Sequence, residues 1–353
     1  MPLVAVAVLA GSGQAAPTHR EATVSVFASG LNNPRGLEFG PDGNLYVAEG
    51  GLGGTLTTTP VQCDQVVPPV GPYSGDFTAR ISKIGPGGSA PTTVASGLPS
   101  SQTSPALGSL VSGVADVAFV GNTLYALLAG AGCSHGLLGT ENAVVRVNTN
   151  GSTTMVADLS AFQKAHPVAN PEPDDFEPDG TWYSMVAVGG ALYAVEPNHG
   201  ELDRIATNGS ITRIADISAS QGHVVPTALA YHGVFYLGNL GTFGPADATG
   251  DEQVYQVNPN GKVQVRASGL EQVLGLAFKG GELYALESST TGGGPTPGTG
   301  QIVRVRAGAP AETVASGLTF PTAMTIGPDG AFYVSERGFG FGPGDGRILR
   351  ISG

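Results

Sequence analysis

A short strand motif, in which apolar residues flank a tyrosine, occurs six times along the chain and restricts the fold more than any other feature. The starts of the last four copies are spaced by roughly 45 residues, a repeat length typical of β-propeller blades. The longer spacings between the first copies indicate inserted loops. The copies are LYVAE, LYALL, LYAVE, FYLGN, LYALE and FYVSE, starting at Leu45, Leu124, Leu192, Phe235, Leu283 and Phe332.

Each copy belongs to a larger unit of four short strands. One apolar strand precedes it, a third follows it, and a fourth ends in a pattern such as TTVASGL from Thr92. This fourth strand follows five of the six third strands, and its sixth copy, VSVFASGL, lies at residues 24–31. Since an open sheet edge invites aggregation, we expect this segment to pair with the last strand, RILRIS, from Arg347. The sequence therefore predicts an all-β, six-bladed β-propeller with four-stranded blades, the last closed by the N-terminal strand.

Composition agrees with one such domain over residues 21–353. The chain has 55 Gly and 26 Pro, is 41% hydrophobic and only 12% charged, as expected for many short buried strands joined by turns. Residues 1–20 contain an apolar run followed by small residues, which indicates a signal-peptide remnant or a disordered tail. No other segment approaches the length needed to span a bilayer. We expect a secreted or periplasmic protein.

The net charge of -12 narrows the range of partners. A negative surface repels phosphate backbones and anionic membranes, which disfavours nucleic acid as a partner. The partner classes that remain are a small molecule, a glycan or a protein. We expect the protein itself to be a monomer. Acidic groups attract metal cations, and the stretch PEPDDFEPDG at residues 171–180 is either a calcium loop or a solvated acidic loop.

The propeller topology places the connections between strands on two opposite faces. Connections between strands one and two, and between three and four, are short and share one side, here called the plain face. Those between strands two and three, and between blades, hold the long irregular segments on the other side, here called the loop face. Binding residues are disproportionately found on loops held by a rigid scaffold. Cys63 and Cys133 fall in loops of neighbouring blades on this face, so we predict a disulfide, with two free thiols as the alternative.

Four of the second strands end in glutamate, which suggests a partial ring of carboxylates on the loop face. Such oxygen ligands suit Ca²⁺. Alternatively, each glutamate accepts backbone N–H groups from a neighbouring loop as part of the blade design. The four glutamates, which are the candidate metal ligands, are Glu49, Glu196, Glu287 and Glu336; Asn239 takes the fifth position.

Further candidates come from the start of the innermost strands, which should surround the loop-face mouth of the axial channel. Arg35 and Tyr183 suit an anionic or aromatic ligand, and the alternative for Arg35 is an ion pair with a ring carboxylate. His199 and His223 are candidate catalytic groups, with scattered surface histidines as the alternative. The ligand-binding set is Arg35, Asp116, Tyr183, Thr227, Thr322 and Asn239.

The opening VFASGLNNPRGLEFGPDGNLYVAEGGLGG (residues 26–54) and the segments at 177–205 and 224–240 resemble the ScyD/ScyE family of exported NHL-type propellers. The resemblance implies an extracytoplasmic six-bladed propeller but no settled reaction and no catalytic residues. The chain is more distantly similar to six-bladed lactonases and the strictosidine synthase group, which hold a metal or substrate at the channel mouth. The Glu-Gly-Pro opening of the lactonases is replaced here by Pro34-Arg35-Gly36.

Two functions follow as hypotheses. The first is a non-catalytic propeller that binds a small molecule, glycan or protein partner through the loop face. The second is a calcium-dependent hydrolase, lactonase or lyase that uses the ring carboxylates and a loop histidine.

Overall fold

The computed structural model describes residues 22–171, 176–242 and 250–353, and it confirms the six-bladed propeller. Each blade is an antiparallel sheet, and the inner strands of successive blades contact one another around a closed ring. The predicted tail at residues 1–20 lies outside the described residues, as does part of the acidic stretch at 171–180.

The strands follow one another blade by blade. Blade one contains β2 (Pro34–Phe39), β3 (Leu45–Glu49), β4 (Ser74–Ile84), β5 (Thr92–Gln102) and a short fifth strand, β6 (Val111–Ser112). Blade two contains β7 (Val114–Val120), β8 (Thr123–Leu128), β9 (Ala143–Val147) and β10 (Thr153–Asp158). Blade three contains β11 (Ser184–Val188), β12 (Ala191–Glu196), β13 (Glu201–Ala206) and β14 (Ile211–Asp216). Blade four contains β15 (Pro226–Tyr231), β16 (Phe235–Asn239), β17 (Glu252–Val257) and β18 (Val263–Leu270). Blade five contains β19 (Val273–Lys279), β20 (Glu282–Glu287), β21 (Gly300–Arg304) and β22 (Glu312–Leu318).

Blade six is completed from both ends of the chain, as the sequence predicts. It consists of β23 (Ala323–Ile326), β24 (Phe332–Glu336), β25 (Gly346–Ser352) and the N-terminal β1 (Thr23–Leu31). β1 pairs antiparallel with β25, from Thr23 opposite Ser352 to Leu31 opposite Gly346. The ring is thereby closed by backbone hydrogen bonds between the two ends of the propeller.

A recurrent Ala-Ser-Gly-Leu sequence bends four of the outer strands. In each copy the glycine is an extra residue in the pairing register, and it adopts a positive φ between 70° and 90°. Glycine adopts this conformation without steric cost, and the resulting β-bulge turns the next leucine into the core. The glycines are Gly30, Gly97, Gly269 and Gly317, and each following leucine is at most 5% exposed.

The hydrophobic core consists of six clusters, each packed between adjacent blades. Because both faces of a blade are covered, apolar residues occur on both sides of its strands. Trp182, the largest fully buried side chain, lies between blades two and three. Since the blade faces are covered by this packing, the long loops of the loop face form the irregular surface of the propeller.

Among the described residues, two short α-helices lie in loop-face connections, α1 (Leu159–Ala165) between blades two and three and α2 (Ser218–Gln221) between blades three and four. Cys63 and Cys133 form the predicted disulfide, which links the long loops of blades one and two. In the part of the chain that the structure describes, no helix is both long and apolar enough to cross a membrane.

Candidate functional site

The loop-face mouth of the axial channel is bridged by one tyrosine. Tyr183 immediately precedes β11 in blade three, and its hydroxyl donates a hydrogen bond of 3.0 Å to the Thr322 carbonyl oxygen. Thr322 immediately precedes β23 in blade six, the blade opposite in the ring. Burial raises the pKa of Tyr183 to about 12, so the hydroxyl stays protonated and able to donate.

Arg35 reaches the same place from blade one. Its guanidinium interacts with the Tyr183 hydroxyl and donates a hydrogen bond from Nη2 to the Val111 carbonyl oxygen. Burial lowers the pKa of this arginine from its ordinary value, although a guanidinium remains charged at neutral pH. The mouth therefore contains a cation that has no carboxylate within ion-pair distance among the residues described.

Asp116 completes this group from β7 of blade two. Its Oδ2 accepts hydrogen bonds from the Met185 amide at 2.7 Å and the Ser184 hydroxyl at 3.2 Å, both in the neighbouring β11. Burial, with a smaller contribution from Glu38, raises the Asp116 pKa to about 7. The residue as a whole is buried, with 9% of its surface exposed. A carboxyl group of this pKa can exchange a proton near neutral pH.

A glycine makes room for Asp116. A Cβ added to Gly36 would lie 1.8 Å from Asp116 Oδ1 and 2.7 Å from its Cα. Any larger residue at position 36 would displace the aspartate. The Pro34-Arg35-Gly36 segment thus contributes both the cation and the space for the carboxyl group.

The remaining ligand-binding candidates lie at the inner ends of other blades. Thr322 donates from its hydroxyl to the Pro34 carbonyl oxygen at 2.7 Å, and Thr227 likewise donates to the Val273 carbonyl oxygen at 2.6 Å. The first bond joins blade six to blade one, and the second joins blade four to blade five. Asn239 Oδ1 accepts a bond from the Gln253 amide within blade four. The structure thus gathers Arg35, Asp116, Tyr183 and Thr322, whereas the contacts of Thr227 and Asn239 are with blades four and five. A ligand-binding role for each of the six residues stays a prediction.

Each glutamate of the predicted ring accepts a hydrogen bond from a backbone N–H just before the inner strand of its own blade. The donors to Glu49, Glu196, Glu287 and Glu336 are the amides of Asn32, Thr181, Glu271 and Thr319, at 2.6 to 2.9 Å. Two of these glutamates also pair with an arginine on the third strand, Glu49 with Arg80 and Glu336 with Arg347.

A metal ion would need several of these oxygens around one point. Within residues 22–171, 176–242 and 250–353, no three His, Cys, Asp or Glu side chains are placed to hold a metal ion. In this arrangement the four glutamates are engaged by backbone donors of their own blades and are not gathered around one point. The calcium assignment stays a prediction.

Comparisons with known proteins identify the fold of the chain but neither a family nor an activity. No family model matches the chain, and no curated protein matches it. The solved structures that resemble it include a putative glucose dehydrogenase from Thermus thermophilus, at 19% identity and a TM-score of 0.56 over 94% of this chain and 99% of that one. A gluconolactonase from Xanthomonas campestris is 10% identical, with a TM-score of 0.55 over 94% of this chain and 89% of that one. A PQQ-bound aldose sugar dehydrogenase from Streptomyces coelicolor is 15% identical, with a TM-score of 0.52 over 96% of this chain and 99% of that one.

These neighbours are propeller proteins. At such low identity they establish the propeller fold alone, and the ScyD/ScyE resemblance stays a prediction.

The two candidate histidines lie in separate loops. His199 follows β12 and is 5% exposed; its Nδ1 is hydrogen-bonded by the Gln163 side-chain amide of α1, and its ring stacks on Phe176. Its backbone amide donates to Glu196. His223 is partly exposed in the segment between α2 and β15. A catalytic role for either histidine stays a prediction.

Two further polar clusters were missed by the sequence reasoning. In the first, Ser101 Oγ lies 2.8 Å from His135 Nδ1, and His135 Nε2 lies 3.4 Å from Glu177 Oε2. Burial lowers the His135 pKa to about 4, so the imidazole is neutral at pH 7. The arrangement has the residue types of a serine hydrolase triad. However, all three side chains are almost completely buried, so a substrate has no access to Ser101 in this arrangement.

The second cluster is a group of carboxyls between blades two and three. Glu201 and Asp203 point from β13 to the same side, and both are fully buried. Arg213 pairs with Glu201, while neither oxygen of Asp203 has a hydrogen-bond partner. Burial, reinforced by the negative charges of neighbouring carboxyls, raises the pKa of Glu201 to about 9 and that of Asp203 to about 7. No local motif in the sequence signals either cluster, because each gathers residues of separate strands and loops.

Proposed function

We propose that the protein acts on a small polar molecule held at the loop-face mouth of the channel, with Asp116 as the proton-transferring group. The observation that carries this proposal is the raised pKa of Asp116 at a site that also contains Arg35 and Tyr183. A carboxyl group with a pKa of about 7 is matched to general acid or base work at neutral pH.

In this site the three residues have different roles. Arg35 supplies a fixed positive charge toward an anionic or strongly polar group of the molecule. Tyr183 offers a protonated hydroxyl, and its bond to Thr322 holds the ring across the mouth. Asp116, in its ionised form, would take a proton from an attacking water. Because backbone and side-chain donors of β11 fix its Oδ2, the carboxylate is oriented before the molecule binds.

The comparisons favour an enzyme over a non-catalytic binder. Neighbours with TM-scores above 0.5 include a gluconolactonase and two sugar dehydrogenases by name. Asp116 best supports a hydrolase of the lactonase kind, because hydrolysis needs a general base and this carboxylate can act as one. The disulfide is typical of oxidising compartments and supports a secreted or periplasmic location. We expect a small-molecule partner and a monomer.

Non-catalytic binding is the second candidate. It is favoured by the ring glutamates, whose oxygens are engaged with their own blades. In that case Arg35 and Tyr183 would hold a small molecule, a glycan or part of a protein, and Asp116 would only connect two blades.

Hydrolysis of a panel of aldonolactones and aryl lactones separates the two candidates. For the enzyme we expect a rate that rises with pH through about 7 and that falls by about 100-fold or more in Asp116→Asn. Asp64→Asn, which changes an exposed carboxylate of the same face, is the matched control and should keep the wild-type rate. Turnover that is unchanged in Asp116→Asn would overturn the catalytic proposal. Binding without turnover, lost in Arg35→Gln, would establish the second candidate.

A further inference from the structure

Three partly exposed phenylalanines form a cluster on the loop face of blade six. The ring of Phe320 stacks on that of Phe339 with centroids 4.5 Å apart, and it meets Phe341 edge to face at 6.0 Å. Phe339 and Phe341 alternate with glycines in the loop between β24 and β25. We call Phe320, Phe339 and Phe341 the phenylalanine cluster. Partly exposed aromatic rings of this kind are typical of sites that bind a ring-shaped ligand.

This cluster adjoins the channel mouth. A Cβ added to Gly338 would lie 2.3 Å from Thr322 Cγ2 and 2.8 Å from the Pro34 carbonyl oxygen, so the loop backbone packs directly on both residues. Thr322 is the acceptor of the Tyr183 bond, and Pro34 precedes Arg35. The cluster is therefore a wall of the same site.

Arg337 supplies a positive charge in this wall. Its guanidinium lies 5.2 Å from the centre of the Phe341 ring. Six other arginines pair with carboxylates, whereas Arg337 forms no ion pair within the described residues. Its Nε is buried and lacks a hydrogen-bond partner. In a chain of net charge -12, a cation without a carboxylate beside aromatic rings suits an anion from outside the chain.

We propose that Arg337 and the phenylalanine cluster bind a small carboxylate that carries a ring, with the carboxylate on Arg337 and the ring against the phenylalanines. The inference rests on the proposed site at the channel mouth and names the class of molecule that this site takes. The ring is either aromatic or that of a sugar acid, because both present an apolar face to an aromatic side chain.

Calorimetric titration with five probes tests the ligand class. Benzoate and glucuronate carry both a ring and a carboxylate, benzyl alcohol and glucose carry only the ring, and acetate carries only the carboxylate. We expect benzoate or glucuronate to bind at least about tenfold more tightly than its uncharged counterpart, which loses the hydrogen bond to a charged group. The same probe should also bind more tightly than acetate, which loses the contact of the ring with the phenylalanines. Which of the two binds identifies the ring. Equal binding of charged and uncharged probes, or no binding of either ring carboxylate at millimolar concentration, would overturn the inference.

Variants locate the binding. Arg337→Gln should weaken binding of the tighter-binding ring carboxylate about tenfold. Arg337→Lys should weaken its binding less, because lysine keeps the positive charge but loses the planar guanidinium. Phe339→Leu tests the ring contact and should also weaken binding. Arg266→Gln, at an exposed arginine of β18, is the control and should not alter binding. If Arg35→Gln weakens binding and Arg337→Gln does not, the channel-mouth site stands and this inference fails. Wild-type affinity in both Arg35→Gln and Arg337→Gln would contradict the channel-mouth site as well as this inference.

Discussion

The Tyr183 hydroxyl donates a hydrogen bond to the Thr322 carbonyl oxygen, and this bond joins two blades that face each other across the axis. Neighbouring blades are held by wide apolar interfaces, whereas opposite blades have few ways to meet in a propeller. One side chain thus connects opposite sides of the mouth and partly closes it. Its position makes Tyr183 both a structural bridge and a wall of the proposed site.

Replacing Tyr183 with phenylalanine removes this bridge while keeping the ring. We expect the free energy of unfolding to fall by about 1 kcal/mol, since the Thr322 carbonyl loses a partly buried hydrogen bond. Denaturant titration measures the change. Tyr46→Phe is the matched control, because the Tyr46 hydroxyl bonds to Asp42 in an exposed turn of the plain face and should matter less. Equal effects of the two substitutions would show that the bridge adds no stability.

Gly36→Ala should be severely destabilising. The new methyl carbon would overlap Asp116, including its backbone, so blades one and two would have to separate locally. We expect a loss of about 2–3 kcal/mol, the size typical of overpacking. Gly87→Ala is the control, because a Cβ at that position meets no atom within 4 Å. Thermal unfolding of both variants measures the difference, and a Gly36→Ala protein as stable as the wild type would contradict the close packing described for Asp116.

The stability of the protein should decrease as the pH rises from about 5 to 9. Glu38, Asp116, Asp203 and Glu201 have pKa values raised to about 7, 7, 7 and 9, above the roughly 4 expected in the unfolded chain. In this range the folded protein binds more protons than the unfolded one, so unfolding becomes easier as protons are removed. We expect a loss of at least about 2 kcal/mol between these pH values.

Asp203→Asn tests the origin of this dependence. Neither Asp203 oxygen has a hydrogen-bond partner, so the neutral amide should flatten the pH profile and raise stability at pH 9. Asp42→Asn, at an exposed carboxyl whose pKa is lowered, should leave the slope between pH 5 and 9 unchanged. Urea titrations at pH 5, 7 and 9 provide the comparison. A wild-type stability that increases over this range would show that these carboxyls ionise freely in the folded protein.

The architecture was predictable because it repeats, whereas most of the site was not. Strand order, the closure by β1 and the face of the long loops all follow from a pattern present six times. Arg35 and Tyr183 were expected at the mouth because each opens an inner strand. The span of Tyr183 from blade three to blade six, however, depends on the width of the channel, which no local pattern encodes. The Ser101–His135–Glu177 contacts join two loops and a strand that are distant in the sequence, so only the folded chain brings them together.

The disulfide should stabilise the loop face by a measurable amount. Cys63 and Cys133 are 70 residues apart, and a cross-link over that span typically contributes about 2–4 kcal/mol by restricting the unfolded chain. The double variant Cys63→Ala/Cys133→Ala should lose that amount in denaturant titration. Reductant should lower the stability of the wild type and leave the double variant unaffected. Wild-type stability that is insensitive to reductant would show that the bond adds little.

Closure of the ring by β1 should be essential for folding. Deletion of residues 1–31 removes the fully buried Leu31 and the well-buried Ala28, and it exposes the backbone edge of β25. An unpaired edge strand can pair with another chain, so we expect this variant to aggregate or to unfold at a much lower temperature. Deletion of residues 1–21 retains all of β1 and is the control. A peptide of residues 22–33 added in trans should partly restore solubility and thermal stability by supplying the missing strand. If the variant that lacks residues 1–31 remains monomeric and melts like the control, the five other blades and three strands are sufficient, and the pairing of β1 with β25 contributes little to the fold.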